Sequence, residues 1–368
     1  MKGKIRILHV VTTMNRGGLE TMIMNYYRHI DRSKIQFDFL VHRDFEADYD
    51  QEIKQLGGHI YHLPRLNPFS RNYRKKLNQF LKEHSYQIIH VHQDCLSSIA
   101  LKVAYKNGIP VRIAHSHNAN QDRNIKYLIK RFYMRSIPKY AIHLFACGKE
   151  AGDWMFQGKS YEIINNAIDS QNFKYNELLR NSIKNGLSIK NNEIVIGHVG
   201  RFFYQKNHEF IIDIFHELSQ KDKRFKLILI GTGNLEDKIK EKVKELNLED
   251  RVLFLGNRND VNELMQTMDI FLFPSHYEGL PVTLVEAQAS GLPIIKSNNV
   301  PDQCKITPYV WSLSLDDHVD TWVNKILEVY ESFERTDTSK YIKDAGYDIN
   351  SNVKWLEDFY LSEVKEHE

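Results

Sequence analysis

Cysteine is scarce in this chain of 368 residues: there are three, Cys95, Cys147 and Cys304, far apart and odd in number. No Cys-x-x-Cys occurs, which argues against a disulfide framework or a zinc ribbon and fits a reducing compartment. Each cysteine reads as a small buried apolar residue. Long hydrophobic runs are missing too, and none approaches the roughly eighteen residues needed to span a bilayer. The short run Ile5 to Val11 gives way to polar Thr12 to Arg16 with no small-residue cleavage site, so no signal peptide is expected. There is no low-complexity tract and no repeat period. Excess charge is absent as well: a formal net charge of +3 gives no ground for nucleic-acid binding. A cytoplasmic protein is expected, dissolved or lying on the inner face of the membrane.

What is present suits a large α/β protein. The length allows two domains of common size, and 42% hydrophobic with 26% charged residues is a globular composition. Short apolar runs alternate with helical segments from the start. Lys4 to Val11 reads as a strand, Thr12 to Gly18 as its loop, and Leu19 to Ile30 as a helix. The same alternation continues through strands Ile35 to Val41, Tyr86 to His92, Pro110 to His115 and Ala141 to Cys147. Strands spaced by helices argue for parallel sheets covered on both faces.

The stretch that organises the rest is Ser275 to Pro293. Asp269 to Pro274 reads as a buried strand ended by a proline. Pro281 suits the first turn of a helix, Val282 to Ser290 continues it, and Gly291-Leu292-Pro293 stops it. Glu278 then lies in the strand-to-helix loop and Glu286 within the helix. A helix start at the carboxyl end of a strand is where an open α/β sheet binds anionic ligands. Two carboxylates there make sense as acceptors of hydrogen bonds from sugar or ribose hydroxyls.

This stretch, through Pro274, Ser275, Glu278, Gly279, Leu280, Pro281, Glu286, Ala287, Gly291 and Pro293, resembles the E-x7-E signature of the retaining glycosyltransferases of family 4. Other segments are similar to that family as well. Gly17-Gly18-Leu19-Glu20 resembles its Gly-Gly-x-Glu loop near the donor. Gly200-Arg201 followed by Lys206 resembles its G-R-x-x-x-x-K motif, and Tyr161 to Asp169 its interdomain passage. The resemblance implies the GT-B fold: two Rossmann-like domains facing across a cleft, with a C-terminal helix returning to the first. It places the N-terminal acceptor domain at residues 1–168, with the helix 350–368 packed back on it. Residues 169–349 form the donor domain.

The same resemblance implies a donor nucleoside-diphosphate sugar, a UDP-sugar before a GDP-sugar, and no metal or other cofactor. Arg201 and Lys206 would neutralise the leaving diphosphate. Glu286 would hold the ribose hydroxyls and Glu278 those of the donor sugar. Gly17, Gly18, Gly231, Gly279, Leu280, Pro281 and Thr283 would line the donor, and Asn257 and Arg258, in the loop after strand Arg251 to Leu255, would lie near the base. The acceptor would be a glycan or a polyprenyl-linked glycan, in the assembly of exopolysaccharide, capsule or a related surface glycan. Two other classes stay open: a nucleotide-sugar epimerase of the same fold, and a non-catalytic sugar-nucleotide-binding subunit.

Three patterns remain. Two strand ends carry His-x-His, His90-Val91-His92 and His115-Ser116-His117. In a strand, residues i and i+2 share a face, but the two pairs need not converge, and a shared metal ion is not expected. The family places a histidine, commonly followed by aspartate, beside the transferred sugar. His117 is favoured for that position with His115 as its alternate, and Asn118 stands where the aspartate would be. Asp48-Tyr49-Asp50 satisfies a D-x-D metal pattern formally, but helix capping by Asp48 or Asp50 accounts for it better. Finally, Asn124 to Tyr140 reads as one basic helix in which Lys126, Lys130, Arg131, Arg135 and Lys139 mix with aromatics and no acidic residue intervenes. Such a helix can lie on an anionic membrane surface.

Overall fold

The structure is a computed structural model that describes residues 4–118, 125–279 and 281–367, the side chains of 125–127 excepted. The chain divides into two compact units, residues 1–168 with 348–368, and residues 169–347. Each is built on one wholly parallel sheet.

The first unit has seven strands: β1 (Ile5–Val10), β2 (Ile35–Val41), β3 (Ile60–His62), β4 (Ile88–Val91), β5 (Val111–Ser116), β6 (His143–Ala146) and β7 (Glu162–Ile163). Their order is β3-β2-β1-β4-β5-β6-β7. β1 and β2 are buried almost throughout, as strands with helices on both faces must be. Val353, Leu356, Tyr360 and Val364 of the helix Ile349–Glu366 join one of the two cores, with Phe37 and Phe145 from the sheet. The returning helix is thus part of this unit, not of the one that precedes it in sequence.

The second unit has six strands: β8 (Ile194–Val199), β9 (Phe225–Ile230), β10 (Val252–Phe254), β11 (Ile270–Phe273), β12 (Ile294–Ser297) and β13 (Val310–Leu313). Their order is β10-β9-β8-β11-β12-β13. In each sheet the strand order reverses once, between β1 and β4 and between β8 and β11. The crevice outside the carboxyl ends of the strands at such a reversal is where open α/β sheets bind ligands.

Several local expectations need correction. The basic segment is two helices, Ile125–Met134 and Ile137–Tyr140, not one. Pro138 lacks the N–H that a continuous helix would use. Pro281 is the N-cap of Val282–Ala289, just outside its first turn. Neither Asp48 nor Asp50 caps a helix. Tyr49 holds that position before Asp50–Gln55 without a side-chain bond. Asp48 Oδ2 accepts from the Arg16 N–H at 2.9 Å, and Asp50 Oδ2 from the Ala47 N–H at 3.0 Å. Asp48 therefore pins the loop that leads to Gly17.

Candidate active site

At the reversal of the second sheet, two loops are fastened together. After β8 the chain passes Gly200 and Arg201 into a short 3-10 turn, Tyr204–Lys206. Asn207 follows with φ of 55°, a left-handed conformation that asparagine adopts more readily than most residues. It caps the turn while its Nδ2 donates to Pro274 O at 3.2 Å. The His276 N–H donates to Gln205 O at 2.8 Å, and the rings of Tyr204 and His276 stack at 4.3 Å. These bonds bring Lys206 Nζ within 2.6 Å of Glu278 Oε1, with Gln205 Nε2 donating to Glu278 Oε2 at 3.0 Å. Lys206 also lies 4.7 Å from the centroid of Phe273.

Glycines make the approach possible. Gly231 has φ of +136°, and a Cβ there would sit 2.2 Å from Gly200 O. A Cβ on Gly233 would meet the backbone of Phe202 at 2.6 to 2.8 Å. The loops after β8 and β9 can touch only because neither glycine carries a side chain.

The remaining residues expected here fall into distinct groups. Arg201 is exposed, its guanidinium 5.0 Å from the Phe203 ring, with no carboxylate partner among the described residues. Glu286 is half-buried on Val282–Ala289 and has no side-chain partner among the described residues. Desolvation pushes its carboxyl up from 4.5 to about 7. Thr283 lies one turn before it. Arg258, by contrast, is committed to Asp260, at 2.8 and 2.5 Å, within its own loop, and Asn257 beside it is exposed. Gly279 is exposed, and Leu280 lies outside the described residues.

In the first unit, Gly17 is the N-cap of Gly18–His29. A Cβ at Gly17 would fall 2.4 Å from the Glu20 carboxylate, whereas Gly18 has open space beside it. Across the sheet, the two His-x-His pairs converge, which their spacing left open, and a fifth imidazole joins them. His9 Nδ1 lies 3.0 Å from His92 Nε2, and His92 Nδ1 lies 2.9 Å from His117 Nε2. His90 Nε2 lies 3.1 Å from His115 Nδ1, and His90 Nδ1 lies 2.7 Å from the Tyr360 hydroxyl. Strands β1, β4 and β5 are neighbours, so the residues at their carboxyl ends abut. The nitrogens of His9, His90 and His92, and those of His92, His115 and His117, lie within 4.8 Å of one another. A shared metal ion would need lone pairs aimed at one point. The rings of His90 and His92 stack at 4.3 Å and 23°, and those of His115 and His117 lie 4.1 Å apart, tilted by 30°. The nitrogens that meet do so in pairs, at 2.9 to 3.1 Å, which is hydrogen-bond spacing. His115 is fully buried and His117 partly so.

Two residues that sequence reasoning passed over belong with these groups. Gln205 holds Glu278 from the side opposite Lys206. Asp94, after β4, has φ of 44°. Its Oδ2 accepts from Asn118 Nδ2 at 2.6 Å, and its buried Oδ1 has no partner. Desolvation raises its pKa. A carboxylate thus stands beside position 118 although that residue is itself an amide.

Comparison with known proteins gives the family and the fold. The family model of the glycosyltransferases of family 4 matches residues 16–172, and that of the glycosyl transferases group 1 matches residues 180–345. EpsF of Bacillus subtilis (strain 168) is 37% identical, with 98% of each chain covered. The chain belongs to the family 4 glycosyltransferases. A relative from Escherichia coli, named UDP-Gal:alpha-D-GlcNAc-diphosphoundecaprenol alpha-1,3-galactosyltransferase, is 25% identical over 78% of each chain. Among solved structures, that of Anabaena HepE in complex with UDP superimposes with a TM-score of 0.80 at 18% identity. The match covers 97% of this chain and 100% of that one. The fold is therefore GT-B, built from two Rossmann-like domains, and the chain is a glycosyltransferase.

Proposed function

We propose that this transferase moves a sugar from a UDP-sugar to a glycan or lipid-linked acceptor in surface-glycan assembly, with retention of configuration and without a bound metal. The observation that carries the reading is the donor corner of the second unit. There, a free Arg201 and a Glu278-paired Lys206 stand at the sheet reversal, with Glu286 in the helix that follows. As the glycosidic bond to phosphate breaks, positive character grows on the sugar and negative charge on the diphosphate. Arg201 and Lys206 stabilise that charge. Glu278 and Glu286 accept hydrogen bonds from the donor sugar and the ribose. For the first unit, the family resemblance assigns the Gly17-Gly18 loop to the donor and His117 to the orientation of the sugar. The partial exposure of His117 favours it over the fully buried His115 for that role.

Uridine is supported by the UDP in the HepE structure and by the UDP-Gal of the E. coli relative, and a lipid-linked acceptor by that relative's name. The basic segment adds a way to reach such an acceptor. Leu128 and Phe132 are 70% and 72% exposed on the helix Ile125–Met134, which carries Lys130 and Arg131, with Arg135 just beyond it. An apolar row amid cations suits an anionic membrane surface. No helix among the described residues is long and apolar enough to cross a membrane.

The test is a thermal-shift screen with UDP, GDP, ADP and their sugars in the presence of a chelator, followed by transfer to a lipid-linked acceptor. Stabilisation by UDP, with transfer that survives chelation, is expected. No response to any nucleotide, with or without Mg²⁺, would overturn the reading. The anomeric configuration of the product by NMR decides retention.

A further inference from the structure

The mechanism above uses one imidazole of the five, and the others are arranged too regularly to be filler. His9, His92 and His117 form a single file in which each contact joins the Nδ1 of one ring to the Nε2 of the next, at 3.0 and 2.9 Å. Burial pushes His9 and His117 down to about 3 and His92 well below its ordinary value, so all three rings are neutral. A neutral imidazole has one N–H and one lone pair. Each contact needs one of each, so the file has only two proton orders. In one, every proton sits on Nδ1; in the other, every proton sits on Nε2.

The two orders differ at the ends. His9 Nε2 and His117 Nδ1 are both buried without a partner among the described residues. The Nε2 order would strand an N–H on His9, whose ring packs against Phe37 at 4.2 Å and Phe39 at 5.7 Å. The Nδ1 order leaves only a lone pair there. Either order leaves one buried N–H without a partner among the described residues, on His9 Nε2 in one and on His117 Nδ1 in the other. The Nδ1 order places that N–H at the partly exposed end of the file rather than against the phenylalanines, and a substrate hydroxyl that reaches the buried Nδ1 of His117 can accept it.

We propose that His92 is a positioning residue for His117: backed by His9, it binds His117 Nε2 and fixes the ring as the Nδ1–H tautomer, a hydrogen-bond donor to a substrate hydroxyl. Asp94 Oδ1, the unpartnered acceptor beside Asn118, complements it. The inference rests on the reading of His117 as a substrate contact, but the tautomer is a property of the free protein.

The experiment uses full-length protein labelled with ¹⁵N at histidine, with the His117 signals found by their loss in His117→Gln. The expected result is one tautomer, Nδ1 protonated and Nε2 unprotonated. His92→Phe should give a mixture and lower kcat on the order of tenfold or more, as loss of a ligand-orienting partner does. His92→Asn, which keeps a polar atom near the Nδ1 position, should restore much of both. His9→Phe, at the far end, serves if His92→Phe fails to fold, and it should loosen the same preference. An Nε2–H tautomer in the parent, or an unchanged tautomer in both phenylalanine variants, would overturn the proposal. So would stoichiometric Zn²⁺ uptake abolished by His92→Asn. Unchanged turnover in His117→Ala would instead remove the role assigned to His117 and leave the tautomer result standing, so the two failures can be told apart.

Discussion

Lys206 Nζ and Glu278 Oε1 lie 2.6 Å apart although the residues are 72 positions apart in sequence. Their side chains are only 16% and 6% exposed. The pair joins the loop after β8 to the loop after β11, the two elements that carry the donor motifs. Without substrate, each charge is the other's partner, so the corner is held ready without a bare buried carboxylate. A bound diphosphate would draw on the free hydrogens of the ammonium, and a sugar hydroxyl on the free lone pairs of the carboxylate.

Lys206→Ala should therefore act in two ways. Transfer should fall on the order of a hundredfold or more through loss of charge stabilisation. Stability should fall too, by roughly 1–3 kcal/mol, because Glu278 keeps only Gln205 in a nearly buried place. Glu278→Gln in the same background should recover stability without recovering turnover. Unchanged transfer by the single variant, measured well below its melting temperature, would take Lys206 out of the site.

Glu286 gives a pH dependence whose sign follows from its environment. Desolvation raises its folded pKa from 4.5 to about 7. A raised pKa means that Glu286 contributes stability fully present below about pH 4.5 and lost as pH rises through about 7. At about 1.4 kcal/mol per unit, the loss is at most roughly 3.5 kcal/mol, and less where solvent screens this half-buried group. Glu286→Gln has no proton to lose, so its melting temperature should gain on the parent's between about pH 5 and pH 8. Ribose hydroxyls would favour the ionised form, so added UDP should narrow that gap. A gap flat with pH would mean that the carboxyl ionises as it does in water.

The donor corner was legible because its signals are local. A proline, a helix and the Gly291 that stops it, at φ +69°, lie within one short stretch, and the spacing of Glu278 and Glu286 follows from the helix start. The histidine file was not legible. Alternation shows that His90 and His92 share a face, but only the order β1-β4-β5 shows that His115 and His117 face them. His9 sits inside an apolar strand, and only its place near the strand's carboxyl end, where the His-x-His pairs also fall, could have singled it out. Asp94 could not be found at all, since its left-handed backbone leaves no mark in composition. Strands β12 and β13 and the helix Val319–Ser332 also went unread. The two strands are only four residues each, and the helix buries Trp322, Val323, Ile326 and Val329 in a core of the second unit.

Gly231→Ala tests the packing beneath the donor corner. The new methyl would need a φ that L-residues rarely adopt and would meet Gly200 O at 2.2 Å, so the loops after β8 and β9 must part. A loss on the order of 2–4 kcal/mol is expected from strain and overpacking together, read as a lower melting temperature with weaker UDP binding. Gly18→Ala, where nothing lies within 4 Å, is the contrast. It should melt like the parent while weakening donor binding, if backbone at that loop approaches the diphosphate. Equal melting by the two variants would mean that the close approach at Gly231 relaxes freely.

The basic helix makes the last prediction. Arg131 and Arg135 have no carboxylate partner among the described residues, and Lys130 forms no ion pair there but acts on Asp94 through charge alone, so replacing the three with glutamine should cost little stability. Each cation near an anionic surface is worth about 1 kcal/mol, so the triple variant should bind anionic vesicles roughly a hundredfold more weakly. Its UDP affinity should be unchanged, since none of the three belongs to the donor domain. Leu128→Ser with Phe132→Ser should weaken the same binding in a way that salt does not mimic, because apolar insertion is not screened as charge is. Transfer to a lipid-linked acceptor in vesicles should then fall for both variants, while transfer to a short water-soluble analogue should not. Equal vesicle binding by parent and variants would confine this protein's reach toward lipid to the acceptor site itself.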